Sequence, residues 1–384
     1  MLTDKELDAA IKRITDRLDE VNRLYIKKIA AQLLKIGELN ATSINRIIIM
    51  TDMGADIREI NRELSTATAL NVRDLYAIYQ SALSDSYTDP RFRAALQSQP
   101  LSPEQNARLT QFAQNVSTQT AQTMINLSNT TAVAETYKEA VDKAILATSA
   151  GLSSYQEATR DIIRELGYNG LQVQYESGYH RRLDSAVRQN IIDGVNQINQ
   201  NASLAMGEAL GFDAIELSAH ANSAPDHEPV QGRVFLKAEF EKMQAGQDFY
   251  DVDGNHYAGF SRPIGEWNCM HIAMSFSTQH SKRRYTDEQL RQWKADNARG
   301  CEIAGKHYTI YQARQLMRQL ETKVRREKDA ANAARLNGND MTARRSHQKA
   351  INALTKQYYA VAQAAGLTPR SARLSVEGFK MVKV

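Results

Sequence analysis

Two short stretches hold the residue types that do chemistry. Residues 220–235 read HANSAPDHEPVQGRVF, which sets His220 and His227 seven apart. Residues 268–271 read NCMH, which sets Cys269 and His271 two apart. If the four converge, a thiolate and three neutral imidazoles make a donor set suited to tetrahedral zinc. The spacing fits none of the common fingers, because the first pair is too wide and the second is Cys-x-His. A hydrolase would use Cys269 as nucleophile and one of the histidines as base. On a strand, residues two apart share a face, so Cys269 and His271 would reach one pocket. A third reading gives these side chains loop backbone as hydrogen-bond partners, in a domain short of apolar bulk. The spacings favour this third reading. The expectation is therefore a structural cluster, with no catalytic residue, bound metal or cofactor. The zinc quartet His220, His227, Cys269 and His271 stands as the alternative. Glu228, Glu239, Asp251 and Asp253 are further carboxylates, but nothing in their spacing fixes a catalytic pair. DVDGNHY from Asp251 fails the calcium-loop pattern, because Gly254 comes too early and no closing Glu follows.

The elements around these stretches are mostly helical. Leu7, Ile11, Ile14, Leu18, Val21 and Tyr25 alternate spacings of four and three, the seam of a helix packed on helices. TDKE at Thr3 is a capping box that would start it. Helical periodicity continues over 43–64, 71–83, 103–126 and 132–149. Breakers fall at DPRF from Asp89 and QPLSPEQ from Gln99. Ser102 and Pro103 form a strong helix start. A capped helix runs from Tyr155 to Leu166, and Gly167 reads as its stop. A longer helix follows, with Leu183, Val187, Ile191, Val195, Ile198, Leu204 and Leu210 on one stripe, ending at Gly211.

Beyond Gly211 the pattern changes. DAIELSAH alternates like a strand. Gly, Pro, Asp and His are then frequent to about residue 280, as expected of a small loop-rich α+β unit. Thr286 caps a short helix, CEIAGKHY suggests a small hairpin, and helices over 309–337 and 341–365 form an antiparallel pair. The fold class is thus mainly α: an elongated helical N-terminal half, a small α+β domain, and a basic helical hairpin. The expected divisions are 1–150, 151–285 and 286–384.

Charge is uneven along the chain. The net charge is +4, yet residues 310–384 carry 15 Lys or Arg against 5 Asp or Glu. The remainder carries 33 against 39. A basic tail on a mildly acidic body points to a polyanion, most often nucleic acid. Candidate DNA contacts are Arg314, Arg318, Lys323, Arg325, Arg326, Lys328, Arg335, Arg344, Arg345 and Lys349. No apolar run is long enough to span a bilayer. The charged N-terminus does not read as a signal peptide. Two cysteines make no disulfide framework and fit a reducing cytoplasm. P-loop, dinucleotide, nucleophile-elbow and His-Glu-x-x-His motifs are all missing from the sequence.

The stretch from LDSAVRQNIIDGVNQ through QGRVF resembles the phage minor capsid protein 2 family, minor head proteins of tailed phages that include the MuF type. The residues carrying the likeness are Arg188, Gly211, His220, Pro225, His227, Gln231 and Gly232, then Asn268, Cys269 and His271. The basic hairpin is similar too, so the likeness covers about residues 135–380. Ala224, Val230 and Met270 stand where the family has Arg, Trp and Arg. The resemblance implies a virion protein at or near the portal vertex, in the capsid interior or at that vertex, made in the bacterial cytoplasm. It implies several copies per virion, contacts with portal and other head proteins, and non-specific contact with packaged double-stranded DNA. His220, His227, Gln231, Gly232, Asn268, Cys269 and His271 would then be the structural core of the small domain. A metal- or Cys/His-dependent hydrolase or nuclease is the alternative. An effector ejected with the genome is a third possibility; relatives of that kind carry toxin domains behind this module, and none follows the hairpin here.

Overall fold

The computed structural model describes residues 4–38, 43–87, 100–129, 131–149, 155–175, 177–265, 269–336 and 338–384. The Thr3 cap, the Asp89 and Gln99 breakers and Asn268 lie outside them. Helix α1 (Asp4–Glu38) buries the expected seam from Ile11 and Ile14 to Tyr25, and Leu7 at its start is half-buried. It packs on helices of the same chain: α2 (Ser43–Tyr87), α5 (Tyr155–Asn169), α6 (Leu183–Ala209) and α9 (Ile310–Leu336). The expected break between residues 64 and 71 is absent, and α2 runs through it. That stretch, STATAL with its flanks, contains no Gly or Pro to stop a helix.

Helix α3 (Pro103–Asn129) opens as expected. The Ser102 hydroxyl accepts from the Gln105 amide at 3.1 Å, and the Gln105 side chain accepts from the Ser102 amide at 2.7 Å. Helix α4 (Val133–Ser149) follows, and then α5. Gly167 does not end α5, which continues to Asn169 before Gly170 at φ +64°. Gly167 is instead where α5 meets α9. A Cβ there would stand 2.6 Å from the Ala333 Cβ and 2.9 Å from the Ala330 Cα. The short strands β1 (Gln172–Gln174) and β2 (His180–Arg182) pair antiparallel and lead into α6.

A buried ionic network locks these helices to α9. Arg182 bonds Asp184 at 3.1 Å and Asp329 at 2.5 Å, and Arg325 bonds Asp184 at 3.0 Å. Burial opposes the charge on Asp184, but Arg182 and Arg325 outweigh it and hold its carboxyl well below the usual range.

Helix α6 links the bundle to the small α+β unit. There β4 (Val234–Leu236), β3 (Ala214–Leu217) and β7 (Ala273–Phe276) form an antiparallel sheet in that order. Around it lie α7 (Lys237–Gln244) and the ribbon of β5 (Phe249–Tyr250) with β6 (His256–Tyr257). Ile215, Phe235, Phe240, Phe249 and Ile264 form its own core, together with Cys269. Helix α8 (Asp287–Arg299) starts on a capping box between Thr286 and Gln289. The hairpin of β8 (Cys301–Ile303) and β9 (Lys306–Tyr308) precedes α9. Helix α9 then turns into α10 (Met341–Ala364), and the pair shares a core around Leu320, Val324 and Tyr358.

Residues 366–384 fold back onto the body. Arg373 pairs with Asp8 at 3.1 Å, and the Glu377 amide donates to Asp19 at 3.0 Å. The Arg23 side chain also donates to the Glu377 carbonyl. Both ends of the described chain are therefore tied together. Among the described residues, no helix is long and apolar enough to cross a membrane.

Candidate functional site

The loop after β3 carries His220, turns tightly, and returns as β4. His227 sits in the turn, where the Gln231 amide donates to its carbonyl at 3.1 Å. Gly232 closes the turn at φ +68°, and a Cβ there would lie 2.8 Å from Leu290. Opposite this loop, Cys269 and His271 lie on the segment entering β7. Because β7 is an edge strand, its outer amides need partners. Helix α6 supplies them with a polar stripe. Gln200 accepts from the Ala273 amide at 3.2 Å, and Ser203 from the Ser275 amide at 3.0 Å. One turn earlier, Asn196 donates to the Cys269 carbonyl at 3.4 Å. These residues fall at i, i+4 and i+7, so one helix face sets the position of Cys269. The apolar stripe dominates the reading of this helix from sequence, and the polar stripe is legible only once its partner strand is known.

Three of the four expected ligand residues converge. The Cys269 Sγ lies 3.3 Å from the His227 Nδ1 and 3.5 Å from the His271 Nδ1. All three side chains are buried, with His227 fully so. The fourth, His220, does not aim at the sulfur. It stacks on His271 with ring centroids 4.6 Å apart. Gln231 joins the loop to the cluster, since its Oε1 accepts from the His220 amide at 3.0 Å and lies 3.3 Å from the His271 Nε2. Val230 packs in the core of the unit, and Ala224 lines a cavity of about 50 Å³ beside Cys269, His271 and Arg262.

Burial pushes all three imidazoles down. His220 falls to about 4, with Arg314 adding to the effect, and His271 goes well below its ordinary value, with His220 and His227 adding. His227 moves the same way through burial. Burial pushes the Cys269 thiol up. A thiol that is 2% exposed and held protonated is a poor nucleophile.

The basic candidates separate by environment. Arg325 and Arg344 are buried. The Arg325 guanidinium reaches the Arg373 carbonyl at 2.9 Å, Lys328 the Leu374 carbonyl at 2.7 Å, and Arg344 the Lys380 carbonyl at 3.2 Å. These three hold the C-terminal segment against the hairpin. As surface DNA contacts, Arg325 and Arg344 are therefore corrected: their charge is spent inside the protein. Arg314 donates to Asn222 in the His220 loop at 3.0 Å, and Arg326 lies over the Tyr168 ring. Arg318 and Arg335 are half-buried, whereas Lys323, Arg345 and Lys349 are exposed. Lys356, not among the candidates, is exposed too. Its spacing of seven from Lys349 was the available signal, because it puts both on one face of α10 with Arg345.

The chain is thus a mainly helical body with its C-terminal segment clasped to α1 and a small α+β unit built on α6. The model of the family described as phage minor capsid protein 2 matches residues 2–360, so the chain belongs to that family. The match extends the resemblance to the N-terminal helices. No curated protein and no solved structure matches the chain. Membership makes it a structural minor protein of the phage head, a virion component that associates with other head proteins.

Proposed function

We propose that this head protein works at or near the portal vertex, in several copies per virion, and assists head assembly and the packaging or ejection of DNA. One observation carries the DNA part of the reading. Arg345, Lys349 and Lys356 line a single exposed face of α10, and α10 contains no Asp or Glu. Lys323 is exposed on the neighbouring α9. Such a face neutralises phosphates and has no means of reading bases, so binding is non-specific and driven by counterion release. The mildly acidic remainder suits contacts with portal and other head proteins.

The test is a binding titration of the full chain on duplex DNA of unrelated sequences across salt. Affinity falls steeply with salt and does not depend on sequence. Changing Arg345, Lys349 and Lys356 together to Glu reduces the slope of log K against log salt by roughly two to three, at about 0.9 per phosphate contact. Affinity that is indifferent to salt, or unchanged in the triple variant, contradicts the reading.

A further inference from the structure

We propose that the His227 Nδ1, the Cys269 Sγ and the His271 Nδ1 form a zinc site that staples the His220–Gly232 loop to the strand entering β7. The donor atoms all lie within 4.8 Å of one another. Zinc bonds of about 2.3 Å to sulfur and about 2.0–2.1 Å to nitrogen, set tetrahedrally, place S and N about 3.5 Å apart. The observed separations are 3.3 and 3.5 Å.

The hydrogen bonds outside the cluster fix which nitrogen faces the sulfur with a lone pair. The His227 Nε2 lies 2.8 Å from the Arg262 carbonyl, which only accepts, so the Nε2 carries the proton. The Gln231 amide orientation follows from the His220 backbone N–H, which needs an oxygen opposite it. That same oxygen faces the His271 Nε2 at 3.3 Å, so this nitrogen is protonated as well. The Ser223 hydroxyl, 3.2 Å away, is a second partner for it. Both Nδ1 atoms therefore direct lone pairs at one sulfur; the thiol has one proton to offer, and an Arg262 Nη2–H approaches the His227 Nδ1 only at a long 3.5 Å. A divalent cation satisfies both nitrogens and the sulfur together. Donation of the outer Nε2–H to a carbonyl is the usual way in which a protein orients a zinc-bound histidine.

The sulfur environment agrees. The His271 amide donates to Sγ at 3.4 Å. Arg262 is a competing cation, with its Nη2 3.5 Å from the His227 Nδ1. Its charge is taken by Asp226, through contacts of 2.7 and 2.9 Å. The cavity of about 50 Å³ bordering Cys269 and His271 has room for a water as fourth ligand. Metal binding releases the Cys269 proton to solvent and changes no oxidation state. The proposed site has three protein ligands, His227, Cys269 and His271, rather than the quartet that included His220.

The test uses the full chain purified under reducing conditions without chelator. Elemental analysis is expected to find one zinc per chain. Replacement by Co²⁺ is expected to give a near-ultraviolet thiolate charge-transfer band and tetrahedral visible bands. Cys269→Ser abolishes the charge-transfer band, and His227→Gln and His271→Gln each weaken cobalt affinity at least tenfold. The wild-type spectrum stands alone if a variant fails to fold. Absence of stoichiometric metal together with no thiolate band in the wild type overturns the proposal. So does a thiolate band that survives Cys269→Ser.

Discussion

Asp184 shows most sharply what single residues do here. It is buried between Arg182 and Arg325, and neither arginine has solvent to fall back on. Asp184→Ala leaves the buried Arg325 without its carboxylate and Arg182 with Asp329 alone. The expected loss is about 3–5 kcal/mol, measured by urea denaturation. A second residue-scale prediction concerns Gly232, which combines φ +68° with the close approach of Leu290. Gly232→Ala is expected to cost about 1–3 kcal/mol in the same assay. A loss below the error of the measurement would refute the strain assigned to that turn. The residue types of the site were legible from sequence, because Cys and His two apart on an extended segment must share a face. The departure of His220 was not legible. Its ring stacks on His271 because Gln231 fixes the backbone at His220, and that contact spans eleven residues of loop.

The helices were easier to read than their joints. Periodicity fixed the buried face of α1 and the long stripe of α6, since burial of a face is a local property of spacing. Gly167 was misread because a glycine near the end of a helical pattern looks the same whether it caps the helix or admits a neighbour. The residues it meets on α9, Ala330 and Ala333, lie more than 160 residues away in sequence. This gives an element-scale prediction. Gly167→Leu pushes α5 from α9 at Ala330 and Ala333 and is expected to destabilise by about 1–3 kcal/mol. Gly167→Leu combined with removal of the methyl at Ala333 recovers part of the loss, and a double-mutant cycle reads the coupling. Additive effects would mean that the two helices do not meet there. The basic hairpin was half legible in the same way. Its charge was plain, but which arginines face inward depends on the segment that folds back over them.

At the scale of the whole molecule, the clasp between the two ends explains why so much of the positive charge is internal. Arg373, Arg325, Lys328 and Arg344 bind carboxylates or carbonyls that join α1, the hairpin and the tail. The basic charge that the hairpin keeps at its surface lies mostly on α10, with Lys323 on α9. Deletion of residues 370–384 is expected to lower thermal stability and expose the hairpin core to protease, because Leu374 and Val376 leave the interior. Unchanged melting in the truncated chain would show the clasp to be inert. The proposed role is that of a structural head protein at the portal vertex. Quantitative mass spectrometry of purified virions, with chemical cross-linking and with DNA-emptied particles run in parallel, tests it most directly. The expected result is a virion protein in far fewer copies than the shell subunit, cross-linked to the portal protein. Absence from virions, or copies matching the shell subunit with no portal cross-links, would contradict it.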